Sequence, residues 1–450
     1  MLKIDNLPKK VRFNLRNKEI FPNTILSPMD GVTDAPFRRL CRVLSGDRMG
    51  LLVSEFVPTD GDAVFNPDGH KQLKFFPEER PFGIQIFGRF PDRMAAAAGK
   101  IAERYHPEFI EVNAGCPAPK VAGKGSGSGL LRDLPRLQEI LHDVKAVLDA
   151  KTPEIPLTLK CRIGWDDDSI NVMETLKIAE GEGVEMLTVH GRTRLQGYNG
   201  LANWDWIGKV AAVAKIPVIG NGDVNSVECA RERINTYGVS GVSIGRGAMH
   251  NPWIFGQIAD AWEGREKHVI TAQEALDVFP LYYKFKIEDG ATEMNAMGRM
   301  KQLAARLCKG FCLDDKCVDR VSRPSLLGHD RDQHLGQERS DCPKTRDERE
   351  NRSVILNGVI YDTRDFSPLV ELGSKEQDPV RFDGVQESDN VAMSVRQALL
   401  TCQSAAEMLD CVEKLKDGIA REMVFEPERL VNLNGAKETE LKFGDQFKGR

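Results

Sequence analysis

The sequence predicts an α/β protein: a (β/α)8 TIM barrel followed by a smaller C-terminal helical domain. Three observations carry that reading. Eight short apolar segments recur, at Thr24–Pro28, Leu51–Phe56, Phe82–Phe87, Phe109–Asn113, Pro156–Arg162, Met186–His190, Pro217–Asn221 and Gly241–Gly245. Amphipathic stretches such as Asp92–Tyr105, Leu134–Leu148, Ile170–Gly183 and Val227–Tyr237 lie between them, and strands alternating with helices at this spacing form parallel sheets with crossover helices. Polar residues collect where the apolar segments end, which is where such a barrel places its ligands. Eight units in about 225 residues suit a closed barrel, whose usual size is roughly 250 residues. A doubly wound open sheet is the alternative, but no Gly-x-Gly-x-x-Gly opens a helix after the first strand.

Taken in order, the strand ends read as a ring of ligand groups. The first ends in Pro28-Met29-Asp30 and the second in Glu55-Phe56. The third carries Gln85, whose amide can both donate to and accept from the edge of a planar heterocycle. The fourth, Phe109–Val112, is apolar and partly β-branched, as a buried strand should be. It runs into Asn113-Ala114-Gly115-Cys116-Pro117, which sets a thiol on a loop pinned by proline. The fifth carries Lys160 and Arg162, and Lys160 could hold negative charge on a reduced ring. The sixth ends in His190-Gly191-Arg192-Thr193. After the seventh and eighth come Asn221-Gly222-Asp223 and Gly245-Arg246. Glycines at those two ends let backbone N–H groups approach a phosphate, with Arg246 as its counter-ion. A phosphate at one end and a redox-active ring at the other describe flavin mononucleotide, FMN.

These residues resemble a known family, the tRNA-dihydrouridine synthases. The matching runs are Ser27-Pro28-Met29-Asp30-Gly31-Val32-Thr33-Asp34-Ala35-Pro36-Phe37-Arg38, Asn113-Ala114-Gly115-Cys116-Pro117 and His190-Gly191-Arg192-Thr193. Ile216–Asp223 and Ile244–Ala248 complete the set, and Gly164-Trp165-Asp166-Asp167 is similar to the bacterial branch. The resemblance implies a flavin-dependent reduction of specific tRNA uridines to 5,6-dihydrouridine, with NADPH or NADH as reductant. It makes Cys116 the acid that protonates uracil C5, and a thiol pKa near neutrality would suit that task. It makes Pro28, Met29, Asp30, Gln85, Lys160, His190, Asn221, Gly222, Asp223, Gly245 and Arg246 the cofactor-binding set. Asn113 and Arg192 become substrate-binding residues. A uracil in folded RNA must be splayed from its stack to reach the barrel mouth, and Lys120, Lys124, Arg132, Arg162, Arg192 and Arg194 are expected there as a basic rim.

The domain reading is a barrel with an N-terminal extension over 1–255, a helical tRNA-docking domain over 256–310 and 394–424, and a poorly ordered insertion over 311–393. A flexible tail follows over 425–450. Helices are expected at Ala272–Glu288 and Glu293–Lys309, the second with Met300, Leu303 and Leu307 on one face and Arg299, Arg306 and Lys309 beside it. The insertion reading rests on composition, since 313–352 is rich in Asp, Arg, Glu and Ser and poor in apolar residues. A lineage-specific insertion, an interaction segment and retained non-coding sequence all fit it.

The chain has 62 basic and 67 acidic residues, net −5, which argues against a general polyanion binder and for a local basic patch. Ten scattered cysteines, with no secretory signal and no membrane-length apolar run, point to a cytoplasmic protein with free thiols. Cys308, Cys312 and Cys317 cluster, but no fourth ligand at zinc-like spacing follows, so no metal site is expected. The expected partner is tRNA, with no membrane, and the expected state is a monomer. Two rivals remain. One is an FMN barrel acting on a small-molecule pyrimidine or enoate-type substrate. The other is a noncatalytic tRNA-binding protein with a decayed site.

Overall fold

The computed structural model describes residues 7–46, 48–60, 65–308, 395–396 and 398–418, with short strand segments at 311–313, 353–356, 359–362, 368–371 and 423–425. It contains all eight predicted barrel strands. In chain order the first unit has β1 (Phe13–Leu15), β2 (Lys18–Ile20), β3 (Thr24–Leu26), β4 (Leu51–Val53), β5 (Val57–Pro58), β6 (Phe82–Phe87), β7 (Phe109–Ala114), β8 (Leu157–Arg162), β9 (Leu187–His190), β10 (Val218–Asn221) and β11 (Gly241–Ile244). From β3 onward every pairing among these strands is parallel. The barrel closes because β11 pairs with β3, β3 with β4, and β4 with β6. Pairs such as Gln85 opposite Glu111, and Asn113 opposite Lys160, fix the register that the site depends on.

The helices between the strands are α1 (Ala35–Leu44), α2 (Pro91–Tyr105), α3 (Pro119–Ala122), α4 (Leu134–Lys151), α5 (Val172–Gly181), α6 (Trp204–Val213), α7 (Val227–Tyr237), α8 (Arg246–His250) and α9 (Ile254–Trp262). Their ends follow local chemistry. Proline opens α2 at its first position, where no N–H is needed, and Asp133 and Ser226 cap α4 and α7 with side-chain oxygens. Small residues let α2 lie close to α4: a Cβ at Gly99 would stand 2.7 Å from Val147 Cγ1.

The N-terminal extension has a definite job. β1 and β2 form an antiparallel hairpin whose Phe13, Leu15 and Ile20 join Ile25, Leu51, Phe109, Met186 and Ile219 in one buried cluster. The hairpin thereby packs on the early residues of the barrel strands, leaving the opposite, carboxyl end for ligands. Its strands of three residues each carry too short an alternation to stand out in sequence.

A buried ion pair holds the loop that follows β3. Arg38 pairs with Glu79, both almost fully buried, and Arg38 also donates to Thr33 O at 2.7 Å and Lys74 O at 2.8 Å. Removing one partner strands a charge in the interior. Glu79→Ala is therefore expected to cost about 3–5 kcal/mol, read as a lower midpoint in denaturant unfolding; a change under 1 kcal/mol would show that the pair is not needed.

The chain divides into two compact units, Met1–Val269 and Ile270–Arg450. The boundary thus lies at 269/270 rather than 255/256, since α9 packs on α7 and Gly256 lies against the Ser45 backbone. In the second unit, α10 (Ala272–Glu288) opens with a capping box between Thr271 and Glu274, and α11 (Glu293–Leu307) buries Met300, Leu303 and Leu307. A third helix, Ala405–Gly418, packs against both. Within 311–393 the described parts are the strand Phe311–Leu313, which pairs with Met423–Phe425, and an antiparallel ladder of Ser353–Leu356, Val359–Asp362 and Pro368–Glu371. The rest of the expected insertion, the expected tail beyond Phe425, and Cys317 lie outside the described residues.

Candidate active site

The carboxyl ends of the barrel strands converge on one loop. Asn113, near the end of β7, accepts the N–H groups of Gly115 and Cys116 on its Oδ1, each at 2.9 Å. Its own Nδ2 donates to Gln85 Oε1 at 2.8 Å, and Gln85 Nε2 donates to Glu111 Oε1 at 2.6 Å. All three side chains are buried. The Cys116 carbonyl accepts from Ser128 N at 3.1 Å and Ser128 Oγ at 2.7 Å, while Arg162 Nε donates to Gly115 O at 2.9 Å. The loop is thus tied to β6, β7, β8 and the 3-10 turn Gly127–Arg132. Gly127, at φ +55°, backs Cys116 closely: a Cβ there would stand 3.0 Å from Cys116 Cβ. Gly127→Val is expected to displace the thiol, and a crystal structure of that variant with an unmoved Cys116 would refute this.

Burial decides the charges around this loop. It pushes the half-buried Cys116 thiol up from its ordinary value; Asp30 adds to the rise, and the Ala118 N–H, Arg162 and Lys120 oppose it. The expected pKa near neutrality is therefore corrected upward. The thiol keeps its proton at neutral pH, which is the state a proton donor needs. Burial also raises Glu111 to about 7 against the pull of Lys160 and Gln85, and lowers Lys160 to about 8 against the pull of Glu111. His190 is driven well below its ordinary value by burial and by Arg162, Lys160, Arg192 and Arg246, so its ring is neutral.

The other half of the ring lies at β10 and β11. Asn221 receives Lys160 Nζ at 3.2 Å on its Oδ1 and donates from Nδ2 to Ser243 O at 2.8 Å. Gly222 has φ +127°, and a Cβ on it would stand 2.5 Å from Ala202 Cβ, so the turn admits only glycine. Asp223 follows at φ +55°. The loop after β3 meets β11 here, for Met29 Sδ lies 3.3 Å from the Cβ position of Gly245. Pro28, Met29 and Asp30 are held by the Met29–Thr33 hydrogen bonds and by Glu55, which accepts the Gly31 N–H.

Three expectations change. The Asp223 carboxylate is engaged by Arg192 Nη2 at 2.8 and 2.9 Å, by the Ala202 N–H at 2.7 Å and by Arg246 Nη2 at 3.4 Å. Its side chain therefore holds cations, and only its backbone could face a phosphate. Arg192 is 2% exposed and also donates to Gly200 O at 2.6 Å, so it braces this turn and does not stand at a surface that RNA could touch. Arg162 is buried too, donating to Gly115, Thr193 and Gly197 carbonyls. Of the expected basic rim, Lys120, Lys124 and Arg132 are exposed and Arg194 is half-buried.

Two residues escaped the sequence reading. Glu111 carried a signal, being a carboxylate in an apolar strand, two residues before Asn113 and so on the same face. Tyr198 carried none; it is a loop residue whose ring lies near the guanidiniums of Arg162 and Arg246, at 5.6 and 5.3 Å.

The donor set fits a phosphate-bearing planar heterocycle. Gln85 has one amide hydrogen left after Glu111, Lys160 is a cation at a strand end, and Gly222 and Asp223 present a left-handed turn beside Arg246. Among the described residues, no group of three or more His, Cys, Asp or Glu side chains could hold a metal ion, and no helix is long and apolar enough to cross a membrane.

The family described as dihydrouridine synthase (Dus) matches residues 25–317, which include every residue of this ring. The chain belongs to the dihydrouridine synthase family. It is similar to a protein from Pseudomonas putida called tRNA-dihydrouridine synthase B, 42% identical over 247 residues, which are 55% of this chain and 69% of that one. A probable tRNA-dihydrouridine synthase from Rickettsia conorii is 40% identical over 271 residues, covering 60% and 79%. One from Rhodobacter capsulatus is 38% identical over 253 residues, covering 56% and 75%. The dihydrouridine synthase motifs therefore coincide with the strand ends that build the site.

Proposed function

We propose that this dihydrouridine synthase reduces the C5–C6 double bond of specific uridines in tRNA, using bound FMN and electrons from NADPH or NADH. The observation that supports it best is the Cys116 loop, whose backbone N–H is held by Asn113, itself bonded to Gln85 and opposite Lys160 in the sheet. Reduced FMN, held there, would supply the hydride for uracil C6. Cys116 Sγ–H gives its proton to C5, so two electrons and one proton, with the hydride's own hydrogen, complete dihydrouridine. The thiolate left behind is favoured by Arg162 and Lys120 and recovers its proton from water. Gln85 and Lys160 would hold the edge of the ring system, and Asn221, Gly222, Gly245 and Arg246, with the Asp223 backbone, would hold its phosphate. Pro28, Met29, Asp30 and the neutral His190 pack about it. Asn113 positions the base, and the second unit's helices dock the tRNA. The protein acts in the cytoplasm as a monomer.

Substrate comparison tests this reading. Oxidation of the reduced nicotinamide by the flavin-loaded protein should be driven by unmodified tRNA, and not by uridine, dihydropyrimidine precursors or simple enoates. Turnover on a small molecule alone would favour the rival barrel oxidoreductase. A pH dependence follows as well. Lys160 is cationic below about 8 and neutral above it, so FMN affinity should fall as pH rises through that value. Fluorescence titration should show the fall, and Lys160→Met should abolish it; a wild-type affinity flat from pH 7 to 9 would exclude a charged Lys160 as an FMN ligand.

A further inference from the structure

Trp165, half-buried in the loop after β8, carries two arginines. The guanidinium carbons of Arg132 and Arg194 each lie 4.7 Å from its ring centroid. Arg132 ends the 3-10 turn Gly127–Arg132, and Arg194 lies in the loop after β9. The two loops are laced together, since Arg194 N donates to Gly164 O at 3.0 Å and Leu195 N to Trp165 O at 2.9 Å. Other arginines stacked on rings have an acid, as Arg38 has Glu79, Arg80 has Glu108 and Arg104 has Asp68, or a backbone carbonyl, as Arg93 has that of Asp60 and Arg162 that of Gly115. Arg132 and Arg194 are different. Among the described residues, neither guanidinium has an ion pair or a hydrogen-bond acceptor, and Arg194 Nε is buried without a partner.

Nearby acids do not fill that gap. Asp133 caps α4 through the Arg136 N–H, and Asp166 accepts from Ser169 Oγ at 2.6 Å. Two like charges on one ring repel each other, and the cation–π contact each makes with Trp165 holds them there. The ring also fixes two long side chains in advance, which lowers the entropy cost of meeting an anion. Their place in the fold identifies that anion. Ser128, which binds the Cys116 carbonyl, is four residues before Arg132 in the same turn, about 8 Å along a 3-10 helix. A strand that presents a uridine to Cys116 would bring flanking phosphates within reach of this point.

We propose that Trp165, Arg132 and Arg194 form a preset two-cation clasp for phosphodiester oxygens of the RNA strand flanking the reacting uridine. The clasp rests on the tRNA reading above and deepens it. Trp165 acts through the arginines, so its loss and theirs should overlap rather than add.

The test measures binding of unmodified tRNA to the flavin-loaded protein over a salt series, with dihydrouridine formation followed in the same preparations. Arg132→Gln and Arg194→Gln should each lower the slope of log K against log salt by about 0.7–0.9. Trp165→Ala should weaken binding nearly as much as the double arginine variant and add little to it, whereas Trp165→Phe should retain most affinity. Reduction of bound flavin by nicotinamide, without tRNA, should be unchanged in all of them. Dihydrouridine formation with an unchanged slope in the double variant overturns the clasp alone. So does a loss confined to the KM for nicotinamide, which would assign the cations to the dinucleotide's phosphates. Wild-type protein that forms no dihydrouridine overturns the functional reading, and the clasp with it.

Discussion

Cys116→Ala should keep the flavin bound and reducible by nicotinamide, yet lose about 10²–10⁴-fold in dihydrouridine formation. That range is what a positioned general acid contributes. The loss should be confined to tRNA reduction, because no hydrogen bond to Gln85, Lys160 or Asn221 involves the thiol. Asn113 takes the backbone N–H of residue 116, so alanine leaves the loop in place. Stopped-flow reduction of the flavin, followed by reoxidation with tRNA, separates the two half-reactions. Reoxidation at the wild-type rate would remove Cys116 from the proton-donating role.

The second large effect is expected at a residue that need not touch the substrate. Glu111 Oε1 accepts from the Gln85 NH₂, which leaves the Gln85 oxygen turned toward Asn113. Asn113 must then turn its own oxygen to the N–H groups of Gly115 and Cys116. One buried acid thus sets the direction of both amides and the seat of the thiol. Glu111→Leu leaves a buried amide without an acceptor, at about 1–3 kcal/mol. A displacement of the thiol by about an ångström would slow turnover on the order of 10²-fold. Glu111→Gln offers the same acceptor and should restore most of the loss. Alkylation of Cys116 by iodoacetamide supplies a readout independent of turnover, and its rate should change in the Leu variant and recover in the Gln variant. Wild-type thiol reactivity and turnover in Glu111→Leu would show that the amides are held otherwise.

Much of this was legible in the sequence because the barrel imposes two strong patterns. Fully buried parallel strands such as Phe82–Phe87 read as apolar runs, and ligand groups must follow them in phase. Cys116, Gln85, Lys160 and Asn221 were found on that rule, and the structure joins them through hydrogen bonds and the β7–β8 register. What the sequence could not carry is the partner of each charge. Arg192 and Asp223 lie 31 positions apart, and nothing local announces that they neutralise each other. Arg162 reads as a rim cation until the carbonyls of Gly115, Thr193 and Gly197 surround it. The Cys116 pKa likewise depends on burial, which a motif does not report. The opposite happened at Arg132 and Arg194. Their basic character was plain, but Trp165, which gives them a fixed position, entered only as part of a motif.

The most direct test of the central claim is nucleoside mass spectrometry of unmodified tRNA after incubation with this chain, FMN and reduced nicotinamide. Dihydrouridine should form well above a no-enzyme control and nearly disappear with Cys116→Ala. A folded, flavin-bearing protein that leaves every uridine intact would contradict it.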